Sequence, residues 1–136
     1  MKKADLDNVV QLITEQIPSV EVIYLFGSMA NGMGAKESDV DIAFLTPFEC
    51  KVDPIDVYQL KGKLEILLGK DVDLIHLNQA SIVFQFQITT TAKQLYVKNA
   101  SLVLRYEVLV LSMYQRLQEE RKGILKEIIS SGKVYA

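Results

Sequence analysis

The stretch VIYLFGSMANGMGAKESDVDIAFL, residues 22–45, decides how this chain is read. It opens with five apolar, β-favouring residues, Val22 to Phe26, and stops at Gly27-Ser28, the pattern of a buried strand running into a turn. It closes with a second strand, Val40 to Leu45, which Thr46-Pro47 ends. Between the two, Met29 to Ser38 holds two glycines, an asparagine and a serine, and reads as a short turn of helix followed by a loop.

Each part of the stretch has a chemical use. A Gly-Ser pair at a strand end, opening a turn of helix, presents free backbone N–H groups and a hydroxyl, which suit phosphate oxygens. Glycine lets a phosphate approach the backbone with no Cβ in the way. Asp39 and Asp41 begin the second strand, and strand alternation points both carboxylates the same way with Cα atoms about 6 to 7 Å apart. Converging carboxylates are hard oxygen ligands for Mg²⁺, which also keeps waters and takes substrate phosphate oxygens. Acids that hold a metal pair about 3.5 to 4 Å apart form the usual clamp for in-line phosphoryl transfer.

A third acid is expected from a neighbouring strand, and Asp71 and Asp73 are the candidates in DVDLIH, residues 71–76. They alternate to the same face, so spacing alone does not separate them. Asp73 lies inside the apolar run, where an unpartnered acid is costly to bury, and is preferred. Asp71 reads as an exposed charge at the strand start.

Outward from this centre, Leu6, Val9, Val10, Ile13 and Ile17 recur at helical spacing until Pro18. Asp53-Pro54 is a helix start, with Gly69 the stop after Leu68. Val72 to Leu77 is a third strand, Ser81 to about Thr90 a helix that its threonines weaken, and Gln94 to Val97 a short fourth strand. From Ala100 to about Ile129 the chain reads as a long helix, although Leu102 to Val110 also alternates like a strand. The order predicts a mixed α/β (α+β) fold over residues 1–136: one small domain with a mixed sheet flanked by helices and a long C-terminal helix.

Composition narrows the class. Lys plus Arg number 15 and Asp plus Glu 17, a net charge of −2 with no basic run, so direct nucleic-acid binding is not expected. The single cysteine, Cys50, has no partner for an intrachain disulfide and reads as a small packed side chain. The N-terminus lacks the apolar core of a signal peptide. The longest uncharged run, Leu74 to Ala92, is too polar for a bilayer, so a cytoplasmic protein without membrane association is expected. Other phosphate motifs fail: Gly27 and Gly32 have the Walker spacing, but Met33 stands where lysine is required.

Gly-Ser, ten residues, then Asp-x-Asp, here GSMANGMGAKESDVD, resembles the signature of the DNA-polymerase-β-like nucleotidyltransferase superfamily, and within it the minimal nucleotidyltransferases. The resemblance runs from about Val20 to Val97 and implies the nucleotidyltransferase fold. It implies that Gly27 and Ser28 hold the triphosphate of ATP, that Asp39 and Asp41 ligate two Mg²⁺ ions, and that Asp73 ligates one of them and helps deprotonate the acceptor hydroxyl. Relatives often read Gly-Ser-x-Ala-Arg-Gly, whereas Asn31 here puts an amide where a cation would lie near the phosphates. Minimal nucleotidyltransferases are commonly encoded beside a HEPN-domain partner. The resemblance therefore implies the antitoxin of a HEPN/MNT pair, which transfers AMP from ATP to a tyrosine of the HEPN ribonuclease toxin within a hetero-oligomer. Transfer to a small molecule, and neutralisation of the partner by contact alone, are the alternatives.

The remaining conspicuous residues have plainer readings. His76, three residues after Asp73, falls on the opposite strand face and reads as packed rather than catalytic. Lys36 and Lys51 are within reach of a triphosphate from their loops but read as solvated lysines, and Tyr24 and Tyr96 as core or edge aromatics. Arg105 and Glu107 are the only charges in an apolar stretch and suggest an ion pair or an interface contact. Leu102 to Tyr114 is apolar nearly all round when wound as a helix, so it is either a buried core helix or one that another chain covers.

Overall fold

The computed structural model describes residues 1–27 and 39–131, so Ser28, Asn31, Lys36 and the helical turn expected within Met29 to Ser38 lie outside the described residues. The described elements run α1 (Lys3–Gln16), β1 (Val22–Phe26), β2 (Val40–Leu45), α2 (Pro54–Leu68), β3 (Val72–His76), a 3₁₀ turn (Leu77–Gln79), α3 (Ile82–Thr91), β4 (Lys93–Val97) and α4 (Ala100–Ser131).

Local chemistry sets the boundaries. The Asp53 carboxylate accepts from the Ile55 N–H at 2.9 Å, and Pro54, with no N–H to satisfy, opens α2. Gly69 ends α2 in the left-handed region at φ 64°, its N–H bonded to the Glu65 carbonyl. Ser81 caps α3 through the Phe84 N–H, and Asn99 caps α4 through Ser101 and Leu102. The threonines of α3 are accommodated because the hydroxyls of Thr89, Thr90 and Thr91 bond back to carbonyls one turn earlier. Leu102 to Val110 is helix, not strand.

The four strands form one mixed sheet in the order β3-β2-β1-β4. β1 is antiparallel to both β2 and β4, and β2 is parallel to β3. Alternation sends Ile23, Leu25, Val40, Ile42, Phe44, Val72 and Leu74 to one face, where Val9 and Ile13 of α1 and Leu60 and Leu64 of α2 pack on them. Val22, Tyr24, Ala43 and Leu45 face the other way, against Ile88 of α3 and Val103 of α4. Three layers result, helices on each side of the sheet.

Both long helices keep apolar groups in water. In α2, Leu60 and Leu64 are buried while Ile55, Tyr58 and Ile66 are exposed. In α4, Val103 and Val110 are buried while Leu102, Leu104, Val108, Leu109 and Leu111 are exposed, so the rest of the chain covers only one side of that all-round apolar stretch. Among the described residues no helix is long and apolar enough to cross a membrane.

The position of each leucine or isoleucine relative to the sheet sets its energetic weight. Leu64→Ala, at a fully buried site, is expected to lower unfolding free energy by about 3 kcal/mol. Ile66→Ala, 86% exposed on the same helix, is expected to change it by less than about 0.5 kcal/mol. Urea unfolding of the two variants checks the pair.

Candidate active site

The acids predicted from sequence collect at one end of the sheet because of strand register. The parallel β2–β3 pairing sets Asp41 directly beside Asp73, with Val40 beside Val72 and Ile42 beside Leu74. Neighbouring strands lie about 4.8 Å apart, so two side chains at paired positions on one face stand next to each other. That face is the one α3 and α4 cover, since Asp41 alternates with Ala43 and Leu45.

The carboxylates sense one another. Burial pushes the Asp41 carboxyl above its ordinary value of 3.8, and the charges of Asp73 and then Asp39 push it further. Asp71 does not contribute to that shift; it is exposed and its carbonyl accepts from the Val40 N–H at 2.9 Å. Register therefore separates the two acids that spacing left open, and Asp73 is the one placed against Asp41. The expectation that Asp73 is buried does not hold: Asp73 and Asp39 are both exposed, and only Asp41 is partly buried. A strand at the edge of the sheet leaves that end of its face uncovered.

Gly27 has a structural role that its reading as a phosphate cradle missed. It sits at φ 73°, left-handed backbone that residues with a Cβ rarely adopt. A Cβ built there would overlap Asp41 Oδ2 and stand 3.1 Å from Asp41 Cγ. The glycine thus makes room for the carboxylate, and the strand pairing of Phe26 with Asp41 is what brings them together. A glycine at the end of one hairpin strand facing an acid at the start of the next is the sequence signal that could have found this.

Other candidates are used elsewhere. His76 stacks on Phe44 at 4.8 Å, on the face away from Asp73, and its Nε2 lies 3.0 Å from the Thr46 hydroxyl. Burial holds its pKa below the ordinary 6.5, in keeping with a packed neutral ring. Glu107 takes no ion pair with Arg105; it accepts from the Tyr24 hydroxyl at 2.8 Å and the Gln94 amide at 3.0 Å, tying α4 to β1 and β4. Burial and this carboxylate push the Tyr24 hydroxyl far above its usual range. Tyr24 is a core residue, Tyr96 is partly buried, Lys51 is exposed and Cys50 is half-buried and free.

Among the described residues no three acids, histidines or cysteines cluster tightly enough to cage a metal ion unaided. Two facing carboxylates with a third nearby instead fit a Mg²⁺ ion that draws its other ligands from water and substrate phosphates.

Residues 8–101 match the family described as polymerase beta, nucleotidyltransferase. The chain belongs to that nucleotidyltransferase family. It is 36% identical to the protein adenylyltransferase MntA of Shewanella oneidensis over 131 residues, 96% of this chain and 92% of that protein. Its fold superposes on a crystal structure of a toxin–antitoxin with AMP-PNP at a TM-score of 0.79, with 36% identity over 91% of this chain and 98% of that one. A tri-AMPylated Shewanella oneidensis HEPN toxin in complex with its MNT antitoxin gives 0.76, with 34% identity over 95% and 99%. The four-stranded mixed sheet with its long last helix is thus the nucleotidyltransferase fold.

Electrostatic crowding in this nucleotidyltransferase has a signed consequence. Because the folded pKa of Asp41 is raised, its contribution to stability is present below the unfolded value and is lost as pH rises through the folded value. Asp41→Asn is therefore expected to raise the melting temperature at pH 7, with the gain vanishing below about pH 4, in scans without divalent cations. Gly27→Ala is expected to cost at least about 1 to 2 kcal/mol from its positive φ alone. The cost should shrink when Asp41 is also shortened to alanine, and a double-mutant cycle measures that coupling.

Proposed function

We propose that this chain transfers AMP from ATP to a partner protein, and that the acceptor is a tyrosine of a HEPN-domain ribonuclease toxin, for which the chain is the cytoplasmic antitoxin. The observation that carries the reading is the Asp41–Asp73 pairing beside Gly27, in a chain similar along 96% of its length to a protein adenylyltransferase. Likeness to complexes that hold AMP-PNP and an AMPylated HEPN toxin supports the choice of nucleotide and of partner.

In this reading the Gly27 backbone, with Ser28, receives the triphosphate, and Asp39 and Asp41 would hold the two Mg²⁺ ions that accompany it, with Asp73 a further ligand to one of them. When bound, Mg²⁺ supplies positive charge against the phosphates and the departing pyrophosphate. The partly buried Asp41 suits the holding role, since a nearby divalent charge relieves the crowding that raises its pKa. Asp73 is exposed and thus open to a residue presented by a bulky protein. Its carboxylate takes the phenolic proton as the acceptor oxygen bonds to the α-phosphorus, and the bond from that phosphorus to pyrophosphate breaks. Replacing a phenol by a phosphodiester adds a negative charge and bulk to the toxin, which alters any site the tyrosine serves.

Incubation with α-labelled ATP, Mg²⁺ and the cognate HEPN protein is expected to move label onto that protein. Asp41→Asn is expected to abolish transfer, and Asp73→Asn to slow it by about a hundredfold or more. Label that stays off the protein would contradict the assignment, and full neutralisation of the toxin by Asp41→Asn would favour inhibition by contact alone.

A further inference from the structure

At the end of β2 away from Asp41, a cavity of about 600 Å³ opens between the sheet edge and α4. Leu45, Phe48, Leu102, Leu109 and Met113 are among its walls, and Glu21 lines it. Two features set it apart from ordinary surface. Phe48 stands at its rim 97% exposed, an aromatic ring with no ring contact among the described residues. Glu21 Oε2 is buried and has no hydrogen-bond partner among the described residues. Asn78 bonds both ways with the Thr46 backbone, and the Tyr106 hydroxyl donates to Gln85, whose amide donates to Ala80. A second acid, Glu49, also lines the cavity and is exposed.

A buried carboxylate oxygen without a partner is costly, and the cost falls when a cation is brought to it. The walls around it are apolar, so the complementary group is a cation on an aliphatic stem, as in arginine or lysine. The cavity is open to solvent along α4, where Leu102 and Leu109 both line it and are exposed. Leu45 and Asp41 lie on the same sheet face, about 13 Å apart along β2. A protein interface of standard size covers about 800 Å² on each partner, roughly 28 Å across, and so spans both sites.

We infer that this groove is where the acceptor protein docks, with a basic side chain of an apolar segment entering toward Glu21 and Phe48 anchoring in the partner. The inference rests on the proposed transfer to a HEPN-domain protein and adds the surface that recognises it. Docking here sets affinity and leaves the chemistry to the carboxylates at the far end of the strand.

The test measures the Kd of the complex, the rate of AMP transfer and the melting temperature for the wild-type chain and for Glu21→Gln, Phe48→Asp and Asp41→Asn. Glu21→Gln is expected to weaken the complex by about tenfold or more, since it removes one charge of the proposed pair, with an unchanged melting temperature of the free chain. Phe48→Asp is expected to weaken it comparably with an unchanged melting temperature, and both variants should regain wild-type rate at saturating acceptor. Asp41→Asn should bind normally and fail to transfer. Wild-type transfer with unchanged Kd in both groove variants overturns the docking site alone. Absence of wild-type binding and transfer overturns the acceptor assignment and the docking site with it. A homodimer of the wild-type chain that Phe48→Asp splits assigns the groove to a second copy instead, and also overturns the inference.

Discussion

Like charges held side by side by backbone hydrogen bonds are the constraint on which this molecule turns. Asp41 and Asp73 are partners in the parallel β2–β3 ladder, and neither strand can slip by one residue without turning its buried side chains toward the opposite face. Val40, Ile42 and Val72 lock that register by packing on α1 and α2. The carboxylates are therefore held together against their own repulsion, with the core on the opposite face of the sheet supplying the restraint. Gly27 belongs to the same constraint, because the space its missing Cβ leaves is occupied by the Asp41 carboxylate.

The two faces of the sheet divide the labour. On one, α1 and α2 form a dry layer with no charged group among its buried members. On the other, polar groups thread between α3, α4 and the strands: Tyr24 to Glu107, Gln94 to Glu107, and Tyr106 to Gln85. That second face carries the acids at one end and the apolar groove with Glu21 at the other. Part-buried hydrogen bonds such as Tyr24 to Glu107 and Tyr106 to Gln85 fix how a helix lies by direction as well as by contact.

Much of this was legible in the sequence, and the physical reasons differ by residue. Asp53-Pro54 and Gly69 announced α2 because capping and left-handed backbone are local demands. The strand Val40–Leu45 was legible because its apolar pattern is also local. The preference for Asp73 over Asp71 was argued from its place in an apolar run, yet Asp73 is exposed and what distinguishes it is its register with Asp41, a long-range property. Of the two readings offered for Arg105 and Glu107, the ion pair does not form, because Tyr24 and Gln94 converge on Glu107 and nothing local shows it. Glu21 and Phe48 escaped notice altogether; neither belongs to a motif, and their significance comes from a cavity that only the packed chain creates. The all-round apolar stretch of α4 posed the right question, and the exposure of Leu104, Val108 and Leu111 answers that this chain alone does not cover it.

The central claim is that Asp41 and Asp73, and not Asp71, bind a divalent cation together with a nucleoside triphosphate. Mn²⁺ binding followed by electron paramagnetic resonance, in the presence of a non-hydrolysable ATP analogue, tests it most directly. The account predicts bound Mn²⁺ for the wild-type chain and for Asp71→Asn, loss for Asp41→Asn, and marked weakening for Asp73→Asn. Undiminished binding by Asp41→Asn, or equal weakening by Asp71→Asn and Asp73→Asn, would contradict it.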